Sequence, residues 1–198
     1  MNPLTGNILW QRNMQKEEVK KIIQYFLEKN IYFAVEGKDC IYTPDGKRLK
    51  LHAPTTPFKT INDLSDYSIA KIIIPASIMK FSEIQINTLI DILQKTYKDI
   101  HVIKIKVTDW YGLDITSSES TKHIATLELM KMLGLEKEEV VGAGDGYNDY
   151  PLLTACGIKV AMGDAPEELK AIADFIAPPQ KENGLLSVID RYFPRVRI

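Results

Sequence analysis

The chain has 198 residues, of which 45% are hydrophobic and 26% charged, with 25 lysine and arginine residues against 26 aspartate and glutamate residues. This composition is ordinary for a folded protein and disfavours a disordered chain, and the net charge of −1 argues against a dedicated nucleic-acid binder, which would carry a basic excess. The two cysteines, Cys40 and Cys156, are too far apart for a zinc ribbon, a Cys-x-x-Cys redox site or a disulfide-rich scaffold.

The first half of the chain alternates short β-branched runs with amphipathic helices. Residues 8–10 are predicted to form a strand, and residues 15–29 a helix, because apolar residues recur there at helical spacing. Ser82 is predicted to cap a second helix. Residues 52–60 contain two prolines and no period, which predicts a loop. Further strands are predicted at 31–35, 40–42, 72–74 and 101–107.

The second half continues the alternation. A strand at 113–116 is followed by a helix at 121–133, predicted to turn Ile124, Leu127 and Met130 inward and to end at Gly134. The remaining strands are predicted to begin at Val140, Ile158 and Asp174, with helices after them, the last at 183–192. Strands that alternate with helices predict an α/β fold with a parallel sheet.

The run Gly144-Asp145-Gly146-Tyr147-Asn148-Asp149 follows an apolar strand. Ligands of doubly wound sheets bind at the carboxyl ends of the strands, and carboxylate and amide oxygens suit Mg²⁺. An alternative is a helix cap with loop glycines and no ligand. A dinucleotide fingerprint is excluded, because Tyr147 stands where its third glycine would be.

Lys122 lies in the first turn of a predicted helix. A cation there opposes the helix dipole, whereas an anion such as phosphate, bound between the ammonium group and free backbone N–H groups, would reverse the sign of that effect. The alternative is a solvated surface lysine. His123 and Cys156 are predicted to be structural, Cys156 as a buried thiol.

Lys122 and residues 144–149 together resemble the haloacid dehalogenase (HAD) superfamily, specifically its Cof-type sugar-phosphatase-like branch. The match continues in order and spacing through Gly157, Gly163-Asp164 and Asn183-Gly184. The resemblance implies the C-terminal half of a HAD-type, Rossmann-like parallel-sheet core with an inserted α/β cap. Residues 1–14 would lead into the cap, residues 15–107 would form it, and residues 108–198 would form the core.

The resemblance also implies Mg²⁺-dependent phosphoryl transfer from small phosphorylated metabolites, such as sugar phosphates, through an aspartyl-phosphate. Lys122 would contact the phosphate and orient the nucleophile. Asp149 would support the site residues without contacting the phosphate or the metal itself. Asn148 would contact the phosphate or the water shell of the metal, and Asp145 would be the metal ligand. The protein is expected to be cytoplasmic. It is expected to bind neither a membrane nor nucleic acid.

One element of the family pattern is absent: no Asp-x-Asp motif, which would supply the nucleophile, occurs in the sequence. The expectation is a truncated enzyme, inactive alone. A non-catalytic phosphate- and Mg²⁺-binding protein and one half of a split enzyme are the alternatives. The strand at 139–143 is expected to present an unpaired edge, which invites homodimerisation or capture of a complementary segment.

Overall fold

The computed structural model describes residues 5–38, 40–46, 54–58, 60–64 and 68–193. The chain divides into two compact units, Met1–Ser120 and Thr121–Ile198. The boundary predicted at residues 107 and 108 falls instead within a β-hairpin of the first unit, because β5 (Ile100–Val107) pairs with β6 (Trp110–Ser117) along its whole length. The strand predicted at 113–116 therefore belongs to the first unit.

The first unit is built on a six-stranded sheet in the order β3-β2-β1-β4-β6-β5. Its neighbouring strands are antiparallel except for the parallel pair β2 and β3, so the parallel sheet expected from strand–helix alternation does not extend to this unit. The remaining elements are β1 (Ala34–Glu36), β2 (Ile41–Thr43), β3 (Thr55–Pro57), β4 (Lys71–Ile74), α1 (Lys16–Glu28), α2 (Ala76–Met79) and α3 (Glu83–Thr96).

Both long helices of this unit form where the sequence predicts them. α1 buries Ile22 and Phe26, and α3 buries Ile86, in one core with alternate residues of the strands, such as Ile72 and Ile115. Ser82 caps α3 as predicted: its Oγ accepts a hydrogen bond from the backbone N–H of Gln85 at 3.4 Å, and its own N–H donates to the Gln85 side chain at 3.0 Å. Such reciprocal bonds satisfy backbone donors that a helix otherwise leaves unpaired.

Two further predictions for this unit are wrong. Residues 8–10 do not form a strand, and Ile8 and Leu9 are exposed. The predicted loop at 52–60 contains β3, with Pro57 on an edge strand, where its missing N–H is tolerated. Residues 52, 53 and 59 of that loop lie outside the described residues.

The two ends of segment 13–119 lie side by side within the first unit. Arg12 Nε is 3.1 Å from Glu119 Oε2, and the Ser120 hydroxyl donates a hydrogen bond to the carbonyl oxygen of Arg12 at 2.8 Å. Immediately after Arg12, Met14 is already buried in the core of the unit. These contacts bring the start and the end of a long stretch of chain to one place.

The second unit contains a parallel three-stranded sheet in the order β7-β8-β9, which confirms the predicted parallel core. Helices pack on both sides of it, and two small apolar clusters, one around Leu153 and one around Val160, form its interior. Its elements are α4 (Lys122–Leu133), β7 (Val141–Gly144), α5 (Tyr150–Ala155), β8 (Ile158–Met162), α6 (Glu167–Lys170), β9 (Phe175–Ala177) and α7 (Gly184–Tyr192).

Within the described residues, one edge of β7 has no partner strand, and several apolar side chains of α4 are exposed. Among the described strands, β7 pairs with β8 alone. On α4, Met130 is buried as predicted, but Leu127, predicted to face inward, is 44% exposed. Leu129 and Leu133 are exposed as well. The inward prediction for Leu127 fails because no described element packs over that part of the helix.

No helix in the described part of the chain has the length and apolar character needed to cross a membrane.

Candidate phosphate and metal site

Lys122 is the first residue of α4, where the sequence predicts it. The preceding Thr121 caps the helix, its hydroxyl accepting a hydrogen bond from the backbone N–H of Ile124 at 3.2 Å. The Lys122 ammonium group donates a hydrogen bond to Oδ1 of Asp149, which lies 27 positions later in the chain. The Lys122 side chain is 48% exposed and that of Asp149 only 8% exposed, so the ion pair has a buried acidic side and an accessible cationic side.

The second oxygen of Asp149 is bound by the backbone of the loop that follows β7. Oδ2 accepts hydrogen bonds from the N–H groups of Asp145 at 3.0 Å and Gly146 at 3.1 Å. Burial alone would raise the pKa of Asp149, but the hydrogen bonds from Lys122 and from these two N–H groups outweigh it and lower the pKa. Asp149 is therefore ionised at neutral pH and fixes both the loop and the ammonium group.

The loop can approach Asp149 so closely because residue 144 has no side chain. A Cβ on Gly144 would lie 2.4 Å from the Cβ of Asp149 and 3.1 Å from Cδ1 of Leu153. Only glycine allows β7 to end against this carboxylate. By contrast, a Cβ on Gly146 would lie close only to the exposed side chain of Asn148, 2.7 Å from its Oδ1.

His123 and Cys156 have structural positions, as predicted. The Nδ1 atom of His123 lies 3.2 Å from the carbonyl oxygen of Pro151 and 3.3 Å from the Thr154 hydroxyl, which ties the first turn of α4 to α5. This contact helps to place Lys122 beside Asp149. Cys156 is buried, and burial raises the pKa of its thiol, which favours the unreactive protonated form.

A pocket of about 370 Å³ opens beside the ion pair at the carboxyl end of β7. Asp145 lines it, is exposed, and its carboxylate forms no hydrogen bond or ion pair with the described residues. Asn148 is exposed and lies outside the lining. The lining consists of Lys122, Ala143, Gly144, Asp145, Asp149, Leu152, Met162, Gln180 and Leu185.

The donor set of this pocket fits a Mg²⁺ site only in part. Within the described residues, no group of three or more His, Cys, Asp or Glu side chains is placed to hold a metal ion. Asp149 is engaged by Lys122 and two N–H groups, which leaves Asp145 as the accessible carboxylate. Since Mg²⁺ commonly binds proteins through one or two carboxylates and completes its shell with water and phosphate oxygens, Asp145 can supply one ligand of such a site.

Sequence reasoning missed the pocket residues that follow the other two strands. Met162 ends β8, and Gln180 follows β9. Because β7, β8 and β9 are parallel, their carboxyl ends meet at one edge of the sheet. No local motif marks Gln180; only the order of the strands could have indicated it.

The chain is similar to a family of hydrolases over most of its length. A family model described as haloacid dehalogenase-like hydrolase matches residues 2–189. Phosphatase YwpJ of Bacillus subtilis is 24% identical in an alignment that covers 91% of this chain and 72% of that protein.

Two solved structures share the fold. A haloacid dehalogenase-like hydrolase from Bacteroides thetaiotaomicron superposes with a TM-score of 0.74 at 20% identity, covering 96% of this chain and 71% of that one. A HAD subclass IIB sugar phosphatase superposes with a TM-score of 0.69 at 21% identity, covering 94% of this chain and 70% of that one.

Proposed function

The chain belongs to the haloacid dehalogenase-like hydrolases, and we propose that its second unit is the phosphate- and Mg²⁺-binding part of a phosphatase. The proposed substrates are small phosphorylated metabolites, such as sugar phosphates. The family match confirms the resemblance inferred from Lys122 and residues 144–149. The observation that carries the proposal is the convergence of Lys122, Asp145 and Asp149 on one pocket.

Lys122 supplies the positive charge that faces the phosphoryl group. Its ammonium group is held on one side by the buried carboxylate of Asp149 and is accessible on the other. A cation fixed in advance stabilises the charge of a transferring phosphoryl group without reorganisation during the reaction. Asp149 acts as a positioning residue for this cation, and Asn148, exposed beside the pocket, is proposed to contact the phosphate or the water shell of the metal.

Asp145 is the proposed Mg²⁺ ligand. A Mg²⁺ ion held there would supply positive charge to neutralise the phosphate oxygens. Asp145 and Lys122 line the same pocket, which supports a site where a phosphate ion would be close to both residues.

The nucleophile of the reaction is proposed to come from polypeptide outside these 198 residues. The sequence contains no Asp-x-Asp motif, and covalent phosphoryl transfer by the family route needs that carboxylate. The nucleophile would belong to a longer form of the chain or to a second chain, as in a split enzyme. The edge of β7 and the exposed apolar residues of α4 are the proposed docking place for such a complementary segment or for a second copy of this chain.

The missing motif favours one further candidate function, a non-catalytic protein that binds phosphate and Mg²⁺. The two are distinguished by adding a peptide with an apolar strand that ends in Asp-x-Asp. Appearance of turnover on mixing supports an incomplete enzyme, whereas binding without turnover supports the non-catalytic protein.

The central experiment measures binding of inorganic phosphate to the 198-residue chain by titration calorimetry in the presence of Mg²⁺. A hydrogen bond to a charged group contributes about 1.5–3 kcal/mol, so Lys122→Met is expected to weaken binding by about tenfold or more. Lys131→Met is the matched control, because Lys131 lies in the last turn of the same helix and should leave binding unchanged.

An equal effect of the two lysine variants would contradict the proposed phosphate site. The same preparations are assayed with an aryl phosphate and Mg²⁺, and no turnover is expected. Turnover that disappears in Asp145→Ala would show that the chain already contains its nucleophile.

A further inference from the structure

The proposed phosphate and metal contacts use only the charged residues of the pocket lining. Lys122, Asp145 and Asp149 account for the charged groups of the lining. The lining also contains uncharged side chains: Met162 at the end of β8, Gln180 after β9 and Leu185 in α7. These three side chains are uncharged, and none of them has a role in the proposed phosphate chemistry.

The backbone holds Gln180 in a fixed position at the rim of the pocket. β9 ends at Ala177, two prolines follow, and a short turn begins at Gln180. The carbonyl oxygen of Gln180 accepts a hydrogen bond from the N–H of Asn183 at 3.1 Å. A Cβ on Gly184 would lie 1.8 Å from the carbonyl oxygen of Pro178, so the chain closes tightly on itself directly after the turn.

The side chain of Gln180 is available to a ligand. It is exposed, and it forms no hydrogen bond with any described residue. A carboxamide can donate and accept hydrogen bonds at once, which suits a hydroxyl group. In the same lining, Leu185 is 56% exposed and Met162 is largely buried, and their lining surfaces offer apolar contact to carbon atoms.

We propose that Gln180 is a specificity-determining residue of this pocket, whose carboxamide binds a hydroxyl group on the organic part of a phosphate ester while Met162 and Leu185 contact its carbon atoms. This inference rests on the proposed function. Because Lys122 is the cationic side chain of the described lining, the pocket favours esters with one phosphate and an uncharged, hydroxyl-bearing organic part.

The test compares three probes that differ stepwise: inorganic phosphate, propyl phosphate and glycerol phosphate, which adds hydroxyl groups to the propyl chain. Their affinities for the wild-type chain and for Gln180→Ala are measured by calorimetry with Mg²⁺. Loss of a hydrogen bond typically costs about 0.5–1.5 kcal/mol. Gln180→Ala is therefore expected to lower the affinity for glycerol phosphate by about threefold to tenfold. Binding of propyl phosphate and inorganic phosphate should change by less than about twofold.

Gln94→Ala, the same substitution at an exposed position on α3, is the matched control and should alter none of the three affinities. Equal weakening of both esters, or of neither, overturns the role of Gln180 while leaving the phosphate site intact. Failure of the wild-type chain to bind any of the probes overturns the proposed function, and the role of Gln180 with it. Thermal unfolding of Gln180→Ala verifies that the variant is folded.

Discussion

Replacing Asp149 with asparagine and with alanine separates the two sets of bonds that this carboxylate forms. Asparagine retains an oxygen that can accept the N–H groups of Asp145 and Gly146, but its NH₂ group cannot accept a bond from Lys122. The Lys122 side chain is 48% exposed, so its ammonium group can be hydrated when the ion pair is lost. Asp149→Asn is therefore expected to lower the free energy of unfolding by about 1 kcal/mol.

Alanine removes the acceptor for both N–H groups as well. Each lost bond to a partly buried N–H adds about 1 kcal/mol, so Asp149→Ala is expected to cost about 3 kcal/mol in total. The measurement is urea-dependent hydrogen exchange, read by mass spectrometry on peptides that span residues 140–156, which reports on the second unit separately from the first.

The reasoning predicts a clear order, wild type above asparagine above alanine. Equal losses in the two variants would mean that the backbone bonds at 3.0 and 3.1 Å contribute nothing to stability. A larger loss for asparagine than for alanine would contradict this order, and would mean that the asparagine NH₂ group, a donor facing the Lys122 ammonium group, costs more than the two backbone bonds contribute.

The remaining predictions concern pH and the loop glycines. The folded state lowers the pKa of Asp149 below its ordinary value of 3.8, so the ionised carboxylate stabilises the fold fully above that value. The difference in unfolding free energy between wild type and Asp149→Asn should therefore disappear as pH falls through the lower folded pKa. A difference that grows on acidification in urea titrations would contradict this sign. Gly144→Ala should cost about 2–3 kcal/mol, because its methyl group would lie 2.4 Å from the Asp149 Cβ. Gly146→Ala should cost less than about 1 kcal/mol, because its methyl group would be crowded only by the exposed Asn148 side chain and would lie 3.9 Å from Asp149 Oδ2, an ordinary contact distance. Similar losses in the two thermal unfolding curves would refute the steric argument.

Features of the site that depend on local sequence could be predicted. The loop from Gly144 to Asp149 closes within six residues, so an apolar strand, two glycines and an acidic residue suffice to indicate it. The start of α4 at Lys122 is likewise a local matter of a threonine cap. The meeting of Lys122 with Asp149 came from a family resemblance, since nothing in a single sequence fixes which helix lies beside which loop.

Features that depend on distant pairing could not be predicted. Residues 8–10 have strand-like composition but find no strand partner among the described residues. Thr55–Pro57 has the composition of a loop, yet it forms a strand because β2 offers it an edge. Gln180 enters the pocket through the order of parallel strands, and Leu127 is exposed although its spacing on α4 is that of a buried residue.

The contacts that join Arg12 to Glu119 and Ser120 have a consequence for how this protein can change in evolution. Because the two ends of residues 13–119 lie side by side, a short connection could replace this stretch without a long loop having to be closed. We expect evolutionary changes in the length of its loops, or in the number of its strands, to leave Arg12 and Ser120 in place.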